Sequence, residues 1–262
     1  MIESGTDKLL VEQRDHTLLL TINAPPANTW DSDNLAALAR VVEAADAQRD
    51  VYAIVISGAG EKFFSAGADL KLFADGDKGV AGDMAGHFGN AFETLAGFRG
   101  VTIAAINGYA MGGGLECAMA CDIRIAEEQA QLALPEASVG LLPCGGGTQN
   151  LAWIVGEGWA KRMILCGERV RADKALQIGL VEEVVTTGGA LDAALALAAS
   201  VGRQSPPAVA ACKSLIQHAR RAPMDAGYPG ERAAFVGLFD TKDQGEGVNA
   251  FLQKRSPEWI NG

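Results

Sequence analysis

One arrangement recurs along the first half of the chain and limits the folds open to it: a long apolar run, a turn, a shorter apolar run, then small residues that open a helix or loop. It occurs over 52–57 and 63–66 before Gly67-Ala68-Asp69-Leu70, over 101–106 and 109–111 before Gly112-Gly113-Gly114, and over 123–126 and 131–134 before Pro135-Glu136. Leu18 to Ile22 starts a similar N-terminal unit that is broken by Pro25 and Pro26. Leu35, Leu38, Val41, Val42 and Ala45 then recur at helical spacing, with Asp31 or Ser32 available as the cap. The copies share little sequence, so the repeat is structural. A right-handed ββα spiral of α/β class satisfies it. In such a spiral equivalent corners stack, which predicts that Ala66, Gly113 and Glu136 converge.

From 148 onward the pattern turns helical, and Ser205-Pro206-Pro207 reads as a hinge. The expected division is a spiral core over 1–204 and a helical C-terminal region over 205–262, which covers its own core or packs on a neighbouring subunit. The glycine-rich stretch from Gly76 to Gly89 reads as a mobile, exposed segment beside the site.

Charge and length narrow the function. The chain has 262 residues, 48% of them hydrophobic, enough for a substantial core. Its net charge of −10 argues against a general nucleic-acid binder, which needs a basic face. No apolar run approaches the roughly 20 residues of a membrane span, and the N-terminus shows no signal pattern, so a cytoplasmic protein is expected. The five cysteines form no Cys-x-x-Cys pair and fit no zinc module; no metal site and no disulfide framework are expected.

The chemistry-bearing residues cluster between 103 and 147. Gly112-Gly113-Gly114 precede an apolar helix, where backbone NH groups lack intrahelical partners and the helix dipole is positive. Gly-x-Gly-x-x-Gly and Walker signatures are absent there. Glu116 and Glu136 each sit among apolar neighbours beside a corner rich in NH donors. Acid–base catalysis needs two titrating groups whose pKa values are pushed apart. Alone, Glu116 reads as an acid in the first turn of a helix, and Glu136 as a helix-start acid or one partner of a surface salt bridge. The Ala66-Gly67-Ala68-Asp69 corner could present the Ala66 NH, and with the Gly113 NH this makes a two-donor oxyanion hole. Ser65 lacks the Gly-x-Ser-x-Gly surroundings of a nucleophile elbow.

Phe64-Ser65-Ala66-Gly67-Ala68-Asp69-Leu70, Ala105-Ile106-Asn107-Gly108-Tyr109-Ala110-Met111-Gly112-Gly113-Gly114-Leu115-Glu116 and Leu134-Pro135-Glu136 resemble the enoyl-CoA hydratase/isomerase (crotonase) superfamily. Gly146-Gly147-Thr148-Gln149 and the tail Phe239-x-Thr241-x-Asp243 to Lys254-Arg255 extend the resemblance over essentially the whole chain. It implies a crotonase-like spiral with a C-terminal helical region, assembled as trimers or dimers of trimers, acting on an acyl-CoA thioester without a cofactor.

By position, the resemblance makes Ala66 and Gly113 the oxyanion-hole donors, Glu116 the base on water and Glu136 the acid that protonates Cα. Ala66, Gly67, Ala68, Asp69, Leu70, Gly113 and Cys144 become the substrate-binding set. Retention of both glutamates favours hydration of a 2-enoyl-CoA. The alternatives on this scaffold are an isomerase, a thioester hydrolase and a non-catalytic acyl-CoA-binding protein. Cys144 stands where the superfamily's Pro-Gly-x-Gly-Gly-Thr-Gln loop has its first glycine.

Overall fold

The computed structural model describes residues 2–262. The first unit is the hairpin β1 (Leu9–Arg14) and β2 (Thr17–Ile22), then the short β3 (Thr29–Trp30) and helix α1 (Ser32–Ala47). Asp31 caps α1: its side chain accepts from the Asp33 and Asn34 NH groups, while the Asn34 side chain accepts from the Asp31 NH. The second unit is β4 (Ala53–Gly58), β5 (Phe63–Ser65), β6 (Gly67–Ala68) and α2 (Lys78–Gly97). The third is β7 (Val101–Ile106), β8 (Tyr109–Met111) and α3 (Gly113–Ala120). The fourth is β9 (Ile123–Glu127), β10 (Gln131–Ala133) and α4 (Gly147–Leu165). Next come β11 (Val170–Arg171), α5 (Ala172–Gln177), β12 (Glu183–Val185) and α6 (Ala190–Val201), then α7 (Pro206–His218), α8 (Met224–Gly237) and α9 (Lys242–Gln253).

The long strands build one sheet in the order β1-β2-β4-β7-β9-β12, parallel apart from the β1–β2 pair. The short strands build a second sheet, β11-β10-β8-β5, in which β5, β8 and β10 run parallel. From the second unit to the fourth, each turn of the chain therefore adds one strand to each of these sheets, which is the expected spiral, while β3 of the first unit pairs with β6. All six residues of β4 are buried, as a parallel strand covered on both faces requires. Asn107 locks one corner: its side chain donates to the carbonyls of Gly58 and Gly60 and accepts from the Gly58 NH.

The expectation of a mobile loop over 76–89 is corrected. Most of that stretch belongs to α2, capped by Asp77, whose side chain accepts from the NH groups of Gly79 and Val80. Each helical glycine costs about 1 kcal/mol relative to alanine. Burying Met84, Phe88, Ala91, Phe92 and Leu95 on one face outweighs this, at roughly 1.5–3 kcal/mol for each large side chain. Helix α4 begins where the pattern turns helical and is broken at Gly156 (φ 77°).

Helix α7 is tied to the core by the Lys213 ammonium, which reaches Asp122 at 2.7 Å and the Gly100 carbonyl at 2.9 Å. The chain end is held by buried Asp243, which accepts from the Ile260 and Asn261 NH groups. Along α8, α9 and the link between them, Phe235, Phe239, Phe251 and Leu252 are exposed. No helix among the described residues is long and apolar enough to cross a membrane.

Candidate active site

The site forms where the corners of the second, third and fourth units stack. Gly112 has φ 51°, which favours glycine, and its NH donates to the Ala133 carbonyl of the next unit. The residues that follow are glycines because neighbours press on them. A Cβ at Gly114 would lie 2.2 Å from the Ser65 carbonyl oxygen, and one at Gly113 would lie 2.7 Å from the Phe88 ring. Gly67 (φ 89°) completes the meeting of corners, since a Cβ there would lie 2.7 Å from the Met111 oxygen and 3.0 Å from the Gly113 nitrogen. Gly113 opens α3, so its NH is among those without an intrahelical acceptor.

The structure corrects the second donor. The Ala66 NH donates to the Ala27 carbonyl at 2.9 Å and is occupied within the fold. Three residues on, the Asp69 NH donates to the Trp30 carbonyl across the β3–β6 ladder. Alternation along the strand turns the Ala68 NH to the opposite edge, where Ala68 lines the cavity with Gly113. With the Ala66 NH engaged, the Ala68 NH is the candidate donor in its place. Ala66 remains in the cavity wall, as does Leu70. Asp69 has a structural place: its side chain accepts from the Lys71 NH and caps the 3₁₀ turn Leu70–Phe73. Gly67 brings the corners together, and Ser65 Oγ accepts the Gly67 NH at 3.1 Å.

Both glutamates face this cavity, in unlike surroundings. Glu116 lies in the first turn of α3 and is buried. Its Oε1 accepts from the backbone NH groups of Gly145 and Gly147, each at 2.8 Å. Burial raises the Glu116 pKa above its ordinary value, and these two hydrogen bonds oppose the rise by favouring the anion. Glu136 begins the 3₁₀ turn Glu136–Val139. Its Oε2 is buried without a hydrogen-bond partner. Burial pushes its pKa up to about 7, with the nearby Glu116 charge adding to the effect. Both carboxyls are thus shifted towards the acid, Glu116 against two NH donors that favour its anion and Glu136 with no donor on Oε2.

The glycines that hold Glu116 were not assigned this role from sequence. Their signal was present: Gly145-Gly146-Gly147 leads into α4 with Gly146 at φ 95°, an exposed-NH corner like the one before α3. A Cβ at Gly147 would come within 2.8 Å of Glu116 Oε1, and one at Gly145 within 2.6 Å of the Phe92 ring. Cys144, just before them, lines the same cavity. Burial, reinforced by both glutamate charges, pushes its thiol up to about 11. Cys117 and Cys121 belong to the core, where the Cys121 thiol donates to the Cys117 carbonyl.

The cavity has a volume of about 680 Å³. Apart from the two carboxylates its wall is mostly aliphatic or aromatic, including Phe73, Ala81, Ala85, Phe88, Leu141 and Leu142. A thioester carbonyl at the Ala68 and Gly113 edge would leave its Cα and Cβ facing the two glutamates. That arrangement can support proton transfer beside a stabilised enolate.

The chain is similar to known proteins along nearly its whole length. The chain is 39% identical over 253 residues to the 2,3-dehydroadipyl-CoA hydratase of Escherichia coli K12, covering 96% of this chain and 98% of that protein. Among solved structures it resembles Pseudomonas aeruginosa DspI, with TM-score 0.95 and 65% identity over 97% of each chain. It also resembles the enoyl-CoA hydratase of Bacillus anthracis, with TM-score 0.94 and 33% identity over 98% of this chain and 100% of that one. Residues 12–262 match the enoyl-CoA hydratase/isomerase family, and the chain belongs to that family.

Proposed function

We propose that the protein is an enoyl-CoA hydratase that adds water reversibly to a 2-enoyl-CoA to give a 3-hydroxyacyl-CoA. The observation that carries this reading is the pair of buried carboxylates on one cavity, one anchored by two NH donors and the other with an unpartnered buried oxygen. The Gly113 and Ala68 NH groups hold the thioester oxygen and stabilise the charge that develops there as Cβ is attacked. Glu116, as the carboxylate, takes a proton from the water that attacks Cβ. Glu136, as the acid, delivers its proton to Cα. In dehydration the roles reverse, and the two carboxyl groups exchange which one carries the proton. Coenzyme A enters as part of the substrate. A cytoplasmic location fits this chemistry.

The exposed Phe235, Phe239, Phe251 and Leu252 support assembly through the C-terminal helices, as a homotrimer or dimer of trimers. Incubation with crotonyl-CoA tests the activity. Loss of the conjugated enoyl absorbance with formation of 3-hydroxybutyryl-CoA supports it. Release of free CoA, or an enoyl absorbance that never falls, would overturn it.

A further inference from the structure

Three buried aromatic side chains stand behind the reaction end of the cavity and join parts of the site that come from different units. Phe88 and Phe92 lie one turn apart on the same face of α2, and Trp30 comes from β3. Their rings meet edge to face, Trp30 with Phe92 at 5.8 Å between centroids and Phe88 with Phe92 at 5.6 Å. Each ring presses on a backbone donor. A Cβ on Gly113 would lie 2.7 Å from the Phe88 ring and 3.5 Å from Trp30 Cδ1, and one on Gly145 would lie 2.6 Å from the Phe92 ring. Through its backbone Trp30 also pairs with Ala68, and its carbonyl accepts the Asp69 NH at 3.1 Å. The trio therefore touches Ala68 and Gly113 at the oxyanion hole, and Gly145, whose NH holds Glu116 Oε1 at 2.8 Å.

Resting on the hydratase reading, we infer that Trp30, Phe88 and Phe92 are positioning residues that set the oxyanion hole and the Glu116 anchor from one common support. A glycine brings no side chain to fix its own peptide, so the surface packed against it bears on where its NH points. Close packing passes a displacement at one ring to its neighbours. A gap behind Gly145 lets its NH draw back from Glu116, and the same gap loosens Gly113 through Phe88 and Trp30. Weakening a hydrogen bond that favours the anion makes Glu116 take up its proton at higher pH. The other ionisable groups on the cavity wall are Glu136 and the Cys144 thiol, which the substitutions below leave in place. A ring that only filled core space would lower stability when cut back and would move no limb of the pH profile.

The test is Phe92→Leu, with Phe98→Leu as control, a buried ring that caps the end of α2 outside the cavity wall. For crotonyl-CoA hydration, Phe92→Leu should raise the acid limb of kcat/KM by at least about half a pH unit. Its plateau kcat should fall about tenfold while KM stays within about twofold of wild type. Phe98→Leu should lower the melting temperature and leave the acid limb in place. An acid limb within about 0.2 of a pH unit of wild type in folded Phe92→Leu, or one that moves as far in Phe98→Leu, overturns the inference. If Phe92→Leu does not fold, Trp30→Phe is read by the same limb and the same limits. If the wild type hydrates no enoyl-CoA, the hydratase reading fails and the support is tested without turnover. Glutamate labelled with ¹³C at its carboxyl carbon is then titrated by NMR, with Glu116→Gln assigning the signal. Glu116 should titrate at least about half a pH unit higher in Phe92→Leu, and an unmoved titration overturns the inference.

Discussion

The proton count of the glutamate pair gives the proposed mechanism its sharpest consequence. Hydration starts with the proton on Glu136 and ends with one on Glu116, so the pair is singly protonated throughout. Loss of that proton silences the enzyme. Glu136 titrates at about 7 because burial removes water from a carboxyl group whose Oε2 finds no donor. Sign follows from role: the active form is the protonated one, so kcat/KM for hydration falls as pH rises through about 7. Roughly a tenth of the plateau should remain at pH 8 and a hundredth at pH 9. Activity also falls on the acid side as Glu116, lifted by burial above 4.5, takes up a proton. The two limbs are macroscopic constants of the coupled pair. Water addition neither takes up nor releases a net proton, so the ratio of forward to reverse kcat/KM cannot depend on pH. The dehydration profile must therefore have the same two limbs. The assay is the enoyl absorbance, followed in both directions from pH 5 to 9. Glu136→Gln should cost about 10²–10⁴-fold in kcat and erase the alkaline limb from what remains. A flat wild-type profile between pH 6 and 9, or a limb that persists in the variant at wild-type rate, refutes the assignment.

Further outcomes follow from the same geometry. Gly67→Ala combines φ 89° with a Cβ 2.7 Å from the Met111 oxygen, and should lower both the melting temperature and kcat, the latter by about 10²-fold as the oxyanion corner opens. Gly147→Ala puts a Cβ 2.8 Å from Glu116 Oε1, so kcat should fall more than the melting temperature predicts; a wild-type kcat would detach Glu116 from the chemistry. The Cys144 thiol, exposed on the cavity wall yet pushed up to about 11, should react with iodoacetamide at pH 8 about tenfold more slowly than a thiol titrating near 9, read by peptide mass mapping. Phe251→Asp, on an 83% exposed side chain, should shift the protein from trimer or hexamer towards monomer in sedimentation, whereas a monomeric wild type would contradict the proposed assembly.

The spiral was legible because its long strands are buried on both faces and so spell continuous apolar runs. Strand β1 was not, since it lies at the sheet edge with only Leu9 buried and reads as a mixed polar segment. The two-residue strands β3, β6 and β11 are too short to have a period. Their pairing mattered all the same, because it sets which NH faces the cavity. Residue type cannot distinguish Ala66 from Ala68; strand register does. Helix α2 was hidden by its glycines, which lie among residues whose burial depends on partners distant in the chain. The Glu116 anchor spans 29 and 31 residues to Gly145 and Gly147, a contact that only the stacking of units creates. Asp243 could be matched as part of a motif, while its hold on the chain end became visible only with the tail folded back.

The most direct test of the central claim follows the atoms of water. Turnover of crotonyl-CoA in H₂¹⁸O should place one ¹⁸O on Cβ of a 3-hydroxybutyryl thioester, and turnover in D₂O should place one deuterium on Cα, both read by mass spectrometry of the intact product. Label in a free carboxylic acid beside free CoA, or deuterium without oxygen in a rearranged alkene, would contradict hydration by Glu116 and Glu136.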